Sequence, residues 1–189
     1  MQLAIIDALY FCKFQATEEK DIDTIKQKIS ETVENIVWIM SAINDIEDEK
    51  NTLKLFQSLD IERQNNIEIL FNLLSMLEEP RLINLIQKTI IGKNNIFAVE
   101  IIDNNFPQDI KQIIKPLFDD LSSLQKIKKL SDFFPQATYT FEDRLKEILK
   151  RDYSKLSCWT VSRRWSFWSR CIRARPATTL SRAPSTIRT

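Results

Sequence analysis

Apolar positions recur every three or four residues along most of the chain, and alternation with period two is sustained nowhere. This is the pattern of amphipathic helices, not strands. Leu3, Ile6, Leu9 and Tyr10 make a first stripe, and Thr17-Glu18-Glu19-Lys20 breaks it. Ile22, Ile25, Ile29, Val33, Ile36, Met40 and Ile43 then step by three or four, with charge on the opposite face. They predict one long helix over 21–46, packed against neighbouring helices. A shorter helix is expected near 49–59 on Leu53, Phe56 and Leu59. The next, about 61–78, carries Ile67, Leu70, Phe71, Leu74 and Leu77.

Punctuation residues divide the rest. Pro80 suits a first helical turn, where no amide donor is needed, ahead of Leu82, Ile83, Ile86 and Ile90. Gly92 stands where a left-handed residue closes a helix. Asn94 or Asn95 is placed to cap a helix over 95–104. Pro107 opens another with Ile110, Ile113, Ile114, Leu117 and Phe118, which Pro116 should kink or end. Ser122-x-x-Gln125 is a capping box before Leu124, Ile127 and Leu130. Thr140-x-x-Asp143 caps a last helix with Phe141, Leu145, Ile148 and Leu149. Starts near 49, 61, 80, 95, 107 and 123 give helix pairs of about 30 residues, the grain of an α-solenoid. The expected fold is all-α, an irregular solenoid of antiparallel helix pairs, with a closed helical bundle as the alternative.

Composition narrows the chemistry. Among 189 residues there are one Gly, six Pro, three Cys and no His. Ordinary usage is about 7% Gly. So little glycine argues against dinucleotide fingerprints, phosphate loops and propellers. Without His, Ser-His-Asp and Cys-His catalysis and the usual zinc sites are excluded. No catalytic, cofactor-binding or metal-ligating residue is expected, and no enzyme. Cys12, Cys158 and Cys171 form no paired framework, which fits a reducing compartment. Cys12 reads as a small core hydrophobe. No secretory leader is visible, and the densest apolar run, Ile36 to Ile43, is too short to span a bilayer. The first stripe begins at residue 3 without a cap, so the chain is expected to start inside a domain and to be a truncated, poorly soluble piece.

Charge divides the chain in two. Residues 1–160 hold 20 Lys+Arg against 26 Asp+Glu, whereas 161–189 hold seven Arg and no acid. Sixteen of the 20 basic residues before 161 are Lys. Two units follow: a helical region over 1–160 and an Arg/Ser/Thr-rich tail over 161–189. The abrupt change reads as a frameshift or a joined segment, with the tail disordered. The other reading is a basic arm, in which Arg163, Arg164, Trp165, Trp168 and Arg170 meet phosphate and stack on bases, or meet an anionic surface.

Acidic groups at Asp45, Glu47, Asp48 and Glu49, at Glu78-Glu79 and at Asp119-Asp120 read as solvated loops and helix ends. The first group lacks the central Gly of a calcium loop. Glu31 with Glu34, and Glu142 with Glu147, read as solvated helix faces. Trp38 is expected to line the core or a groove, and Phe133-Phe134-Pro135 to pack a helix end on the body.

Ile69-Leu70-Phe71-Asn72-Leu73-Leu74-Ser75-Met76-Leu77, then Gly92-Lys93-Asn94-Asn95-Ile96-Phe97-Ala98-Val99-Glu100-Ile101-Ile102-Asp103-Asn104, and Ile113-Ile114-Lys115-Pro116-Leu117-Phe118-Asp119-Asp120 carry a resemblance. Over roughly residues 3–160 the chain resembles the HEAT/armadillo-type helical region of large bacterial membrane proteins. Those proteins are similar to ADP/ATP translocases of the major-facilitator type and often carry a cyclic-nucleotide-binding-like domain. The resemblance implies a non-catalytic, cytoplasmic scaffold segment whose partner is a protein or a neighbouring domain of the same polypeptide. It assigns neither transport nor nucleotide binding to any residue here. The alternatives are a free-standing protein-binding adaptor, and nucleic-acid or anionic-surface binding through the tail.

Overall fold

A computed structural model describes residues 2–46 and 52–151. Among them there are eight helices and no strand: α1 Gln2–Phe11, α2 Glu19–Ile46, α3 Leu53–Leu77, α4 Pro80–Ile91, α5 Asn95–Asn105, α6 Gln108–Phe118, α7 Ser123–Leu130 and α8 Phe141–Lys150. The fold is all-α. The tail, Cys158, Cys171 and the acidic run Glu47-Asp48-Glu49 lie outside the described residues.

The long helix predicted over 21–46 is α2. It buries Ile25, Ile29, Val33, Ile36 and Met40 as its stripe requires. The two helices expected over 49–59 and 61–78 are one continuous helix, α3. Its inward face runs Leu55, Leu59, Glu62, Asn66, Leu70 and Leu74, still in steps of three or four. Glu62 and Asn66 interrupt the apolar sequence but not the helical period. No Gly or Pro breaks the backbone, and Asp60 accepts from Arg63 and Gln64 along the helix surface.

Pro80 opens α4 as expected. The turn that closes α4 corrects the reading of Gly92, whose φ is −72°, while the left-handed residue is Lys93 at φ 59°. Lys93 N–H donates to the Ile90 carbonyl and Asn94 N–H to that of Thr89, the two bonds of a Schellman turn. Glycine therefore sits one position too early to relieve the strained conformation. The same turn ends α1: Lys13 has φ 54° and donates to Tyr10, and Phe14 donates to Leu9.

The later caps match their patterns. The Asn94 side chain accepts from Phe97 N–H, and Ser122 and Gln125 form both halves of a capping box. Thr140 accepts from Asp143 N–H. Pro116 lies in the last turn of α6, which stops at Phe118.

A large apolar cluster joins α2, α3, α4, α5 and α6 through Ile29, Val33, Leu70, Ile86, Ile102 and Ile114, and Leu130 and Phe134 close it. Consecutive helices from α3 to α7 touch, and α2 also packs on α6, α7 and α8. A second, smaller cluster holds Trp38, Ile39, Ala42, Ile46, Leu55, Leu59, Leu145 and Ile148. It lies where α8 covers α2 and the first turns of α3.

α1 departs from this order. Its residues are apolar on every side, a composition that favours complete burial. Yet among the described residues α3 is the one helix it packs on closely, and Ile5, Leu9, Tyr10 and Phe11 remain exposed. Cys12 follows its last turn and is exposed, not a core residue as predicted. Among the described residues no second helix packs closely over that end.

Candidate functional site

The densest polar cluster joins α2 and α8. Arg144, only 1% exposed, donates from Nε to Asp45 Oδ2 at 2.7 Å, and its Nη2 lies 2.6 Å from the same oxygen as an ion pair. Its Nη2 also donates to Ser41 Oγ at 2.9 Å and to the Ala137 carbonyl at 3.2 Å, and its Nη1 reaches Glu147 Oε2 at 3.2 Å. The guanidinium lies 4.5 Å from the Tyr139 ring centroid. A buried cation is tolerated only when its donors and charge are met in this way.

Glu147 carries the next step. It accepts from Trp38 Nε1 at 2.9 and 3.1 Å and pairs with Arg151 at 3.8 Å. Arg151 stacks on the Trp38 ring at 3.6 Å and donates from Nη2 to Asn35 at 2.8 Å. Asn35 in turn donates to Asn66 of α3 at 3.0 Å. Arg151 Nε is buried and finds no partner among the described residues. Burial holds the pKa of Arg151 below its usual value, opposed by Glu147 and Glu34 and aided by Arg144.

The order of these contacts is informative. As numbers rise along α8 and its C-terminal cap through 144, 147 and 151, their partners fall along α2 through 45, 38 and 35. The helical spacing of three and four residues places each set on one face. A cleft of about 290 Å³ opens beside the cluster, lined by Trp38, Pro135, Gln136, Tyr139, Glu147 and Arg151. Within the ladder, Arg144 and Arg151 balance Asp45 and Glu147, so the site carries no surplus charge to hold an anion. Ser41 receives its hydrogen bond from a guanidinium, which is no base. The chemistry of this arrangement is the fixing of one helix on another.

Several sequence expectations are corrected here. Asp45 is not a solvated loop acid but a helical residue whose side chain is 5% exposed. Glu147 does not sit on a solvated face. Glu142, Asp143 and Lys146 make its helix look polar, which hides that Arg144, Leu145 and Ile148 face inward. Arg144 and Arg151 were not singled out by sequence reasoning. The available signal was an Arg one residue ahead of an apolar position in a region otherwise rich in Lys. Trp38 lines core and cleft as predicted.

The other acidic groups are separate. Glu79 precedes α4, and half-buried Glu78 has its carboxyl pushed up by burial. Asp119 ends α6 and is held below the usual range by a hydrogen bond from Lys129, made at 3.0 Å. Glu31 accepts from Lys28, and Glu34 and Glu142 are exposed. Phe134 is buried beyond α7 and Phe133 is exposed. Among the described residues no three acidic or Cys side chains converge on a metal position.

A second cleft, about 420 Å³, lies between α1 and α4. Tyr10, Phe11, Phe14 and Pro80 form its apolar wall, and Lys13 and Arg81 stand at its mouth. Comparison with known protein families, curated proteins and solved structures gives no match to this chain.

Proposed function

We propose that this chain is a non-catalytic helical scaffold whose exposed apolar faces bind a partner protein or a neighbouring domain. In this reading it is the cytoplasmic segment of a larger bacterial membrane protein resembling ADP/ATP translocases, and its helices form an irregular HEAT-like array. The neighbour-to-neighbour packing from α3 to α7 supports such an array. The falling partner numbers between α2 and α8 support antiparallel pairing. The contacts of α2 with α6, α7 and α8 curl the array back on its first long helix. Among the described residues no helix is long and apolar enough to cross a membrane.

The observation that carries the binding role is α1. An apolar helix packed on one neighbour leaves a surface that water disfavours, and such a surface marks an interaction site. Phe11, 81% exposed, is its most prominent side chain. The experiment replaces Phe11 with a photo-reactive phenylalanine analogue in cells producing the chain. A second variant carries the same probe at exposed Lys146 on α8. The scaffold reading expects a discrete adduct from position 11 that Ile5→Glu abolishes, and none from position 146. The same adducts from both positions, or none from position 11, would sink it.

A further inference from the structure

We propose that the groove between α2 and α3 is a helix-receiving site, and that α8 is its exchangeable occupant, supplied either by the same chain or by a second copy. The groove has an apolar floor of Trp38, Ile39, Ala42, Ile46, Leu55 and Leu59, all buried and in one cluster with Leu145 and Ile148 of α8, which packs on α2. Leu145 and Ile148 fill it. This floor forms its own cluster, separate from the larger one that holds α4, α5 and α6 together. Moving α8 therefore leaves the main core intact.

α8 is built to move as a unit. Thr140 and Asp143 bond reciprocally across its first turn, Lys146 pairs with Asp143, and Lys150 lies in the last turn. Such local caps and pairs favour the helix before it docks. The hinge is short. Phe134 is anchored in the main cluster, and residues 135–139 up to the Thr140 cap have no regular structure. Extended chain spans about 3.3–3.6 Å per residue, so these five positions reach roughly 17 Å. Short connections of this kind are where elements exchange between copies.

The polar ladder determines the occupant. An arriving helix must present a cation to Asp45 and Ser41, an acceptor to Trp38 Nε1 and a donor to Asn35, in reversed order. A helix lacking one of these forfeits a hydrogen bond or ion pair at a buried site, and that cost discriminates against it. α8, with Arg151 directly after it, meets all of them, and a second copy brings the same segment. Exchange replaces every contact within the chain by its equal between chains, so hinge length and concentration set the balance.

The test uses full chains. Asp45→Arg and Arg144→Asp each set like charges against one another within a chain. Refolded together, the two variants give an exchanged pair with one natural and one reversed ion pair. Light scattering after size exclusion should then show a species of twice the chain mass in the mixture, absent from either variant alone. A mixture that equals the sum of its parts overturns the proposal.

Shortening the hinge by deleting 136–138 in the otherwise unchanged chain provides an independent arm, should the charge variants fail to fold. The deletion leaves two of the five hinge residues and removes the Ala137 carbonyl that accepts from Arg144, so docking within one chain is disfavoured and the chain should run as a dimer. A monomer, or a dimer that persists when Arg144→Asp is added, overturns the proposal, because the second result assigns the dimer to another face.

Discussion

Replacing Arg144 by Met removes the charge and four hydrogen bonds while keeping most of the side-chain volume. Asp45, 5% exposed, then holds a negative charge with its strongest partner gone. Ser41 Oγ and the Ala137 carbonyl lose a donor, and Tyr139 loses its stacked cation. Removing one member of a buried pair costs about 3–5 kcal/mol. The smaller losses overlap with that figure and are not added to it. With a urea slope near 2 kcal/mol/M, the midpoint should fall by about 2 M. The companion variant, Asp45→Leu with Arg144→Met, removes both charges. Apolar replacement of a whole buried pair is neutral or stabilising in comparable cases. The double variant should therefore recover at least half of the loss. Urea unfolding followed by far-UV circular dichroism gives all the midpoints. A single variant within about 0.5 M of the parent (~1 kcal/mol at that slope), or a double variant no better than the single, would refute the idea that this pair fixes α8.

Three further outcomes are expected. Lys93→Gly relieves a left-handed backbone costing about 1–2 kcal/mol and adds back about 0.4–1 kcal/mol of unfolded-chain freedom, so Tm should rise. Gly92→Ala should cost under about 1 kcal/mol in the same assay, because its φ is ordinary and the added Cβ meets the Lys88 carbonyl at 3.3 Å and the Thr89 carbonyl at 3.5 Å, neither a hard clash. Burial raises the folded-state pKa of Glu78, so its contribution favours folding at low pH and is lost as pH rises through that pKa. Glu78→Gln should therefore stabilise the protein at pH 7, with a gain that shrinks on acidification through the carboxylate range. A gain that grows toward acid would reverse that assignment.

Much of the helical layout was legible because stripe and punctuation agree. Ile29, Val33 and Ile36 mark α2, Pro80 starts α4, and Ser122 with Gln125 starts α7. The join within α3 was hidden because Glu62 and Asn66 occupy inward positions, and periodicity reads polarity rather than direction. The Lys93 turn was hidden because glycine is the expected left-handed residue and here stands one place before it. The ladder was the least legible part. Asp45 and Arg144 are ordinary surface residue types, separated by 99 positions. Only the packing of α8 on α2 shows that each is the other's reason for being buried. The burial of Cys12 was misjudged for the opposite reason, since an apolar sequence neighbourhood says nothing about whether a second helix arrives to cover it.

That separation sets a timetable for synthesis. Chains lengthen at about 5–20 residues per second, so Asp45 leaves the ribosome roughly 5–20 s ahead of Arg144. During that interval α3 is completed beside α2, and the floor of Trp38, Ile39, Ala42 and Ile46 has no α8 to cover it. The nascent chain thus passes through a stage with one finished wall and an open apolar trough. Holdase chaperones compete for it then, and any message cut short before codon 140 yields a product that never leaves that stage.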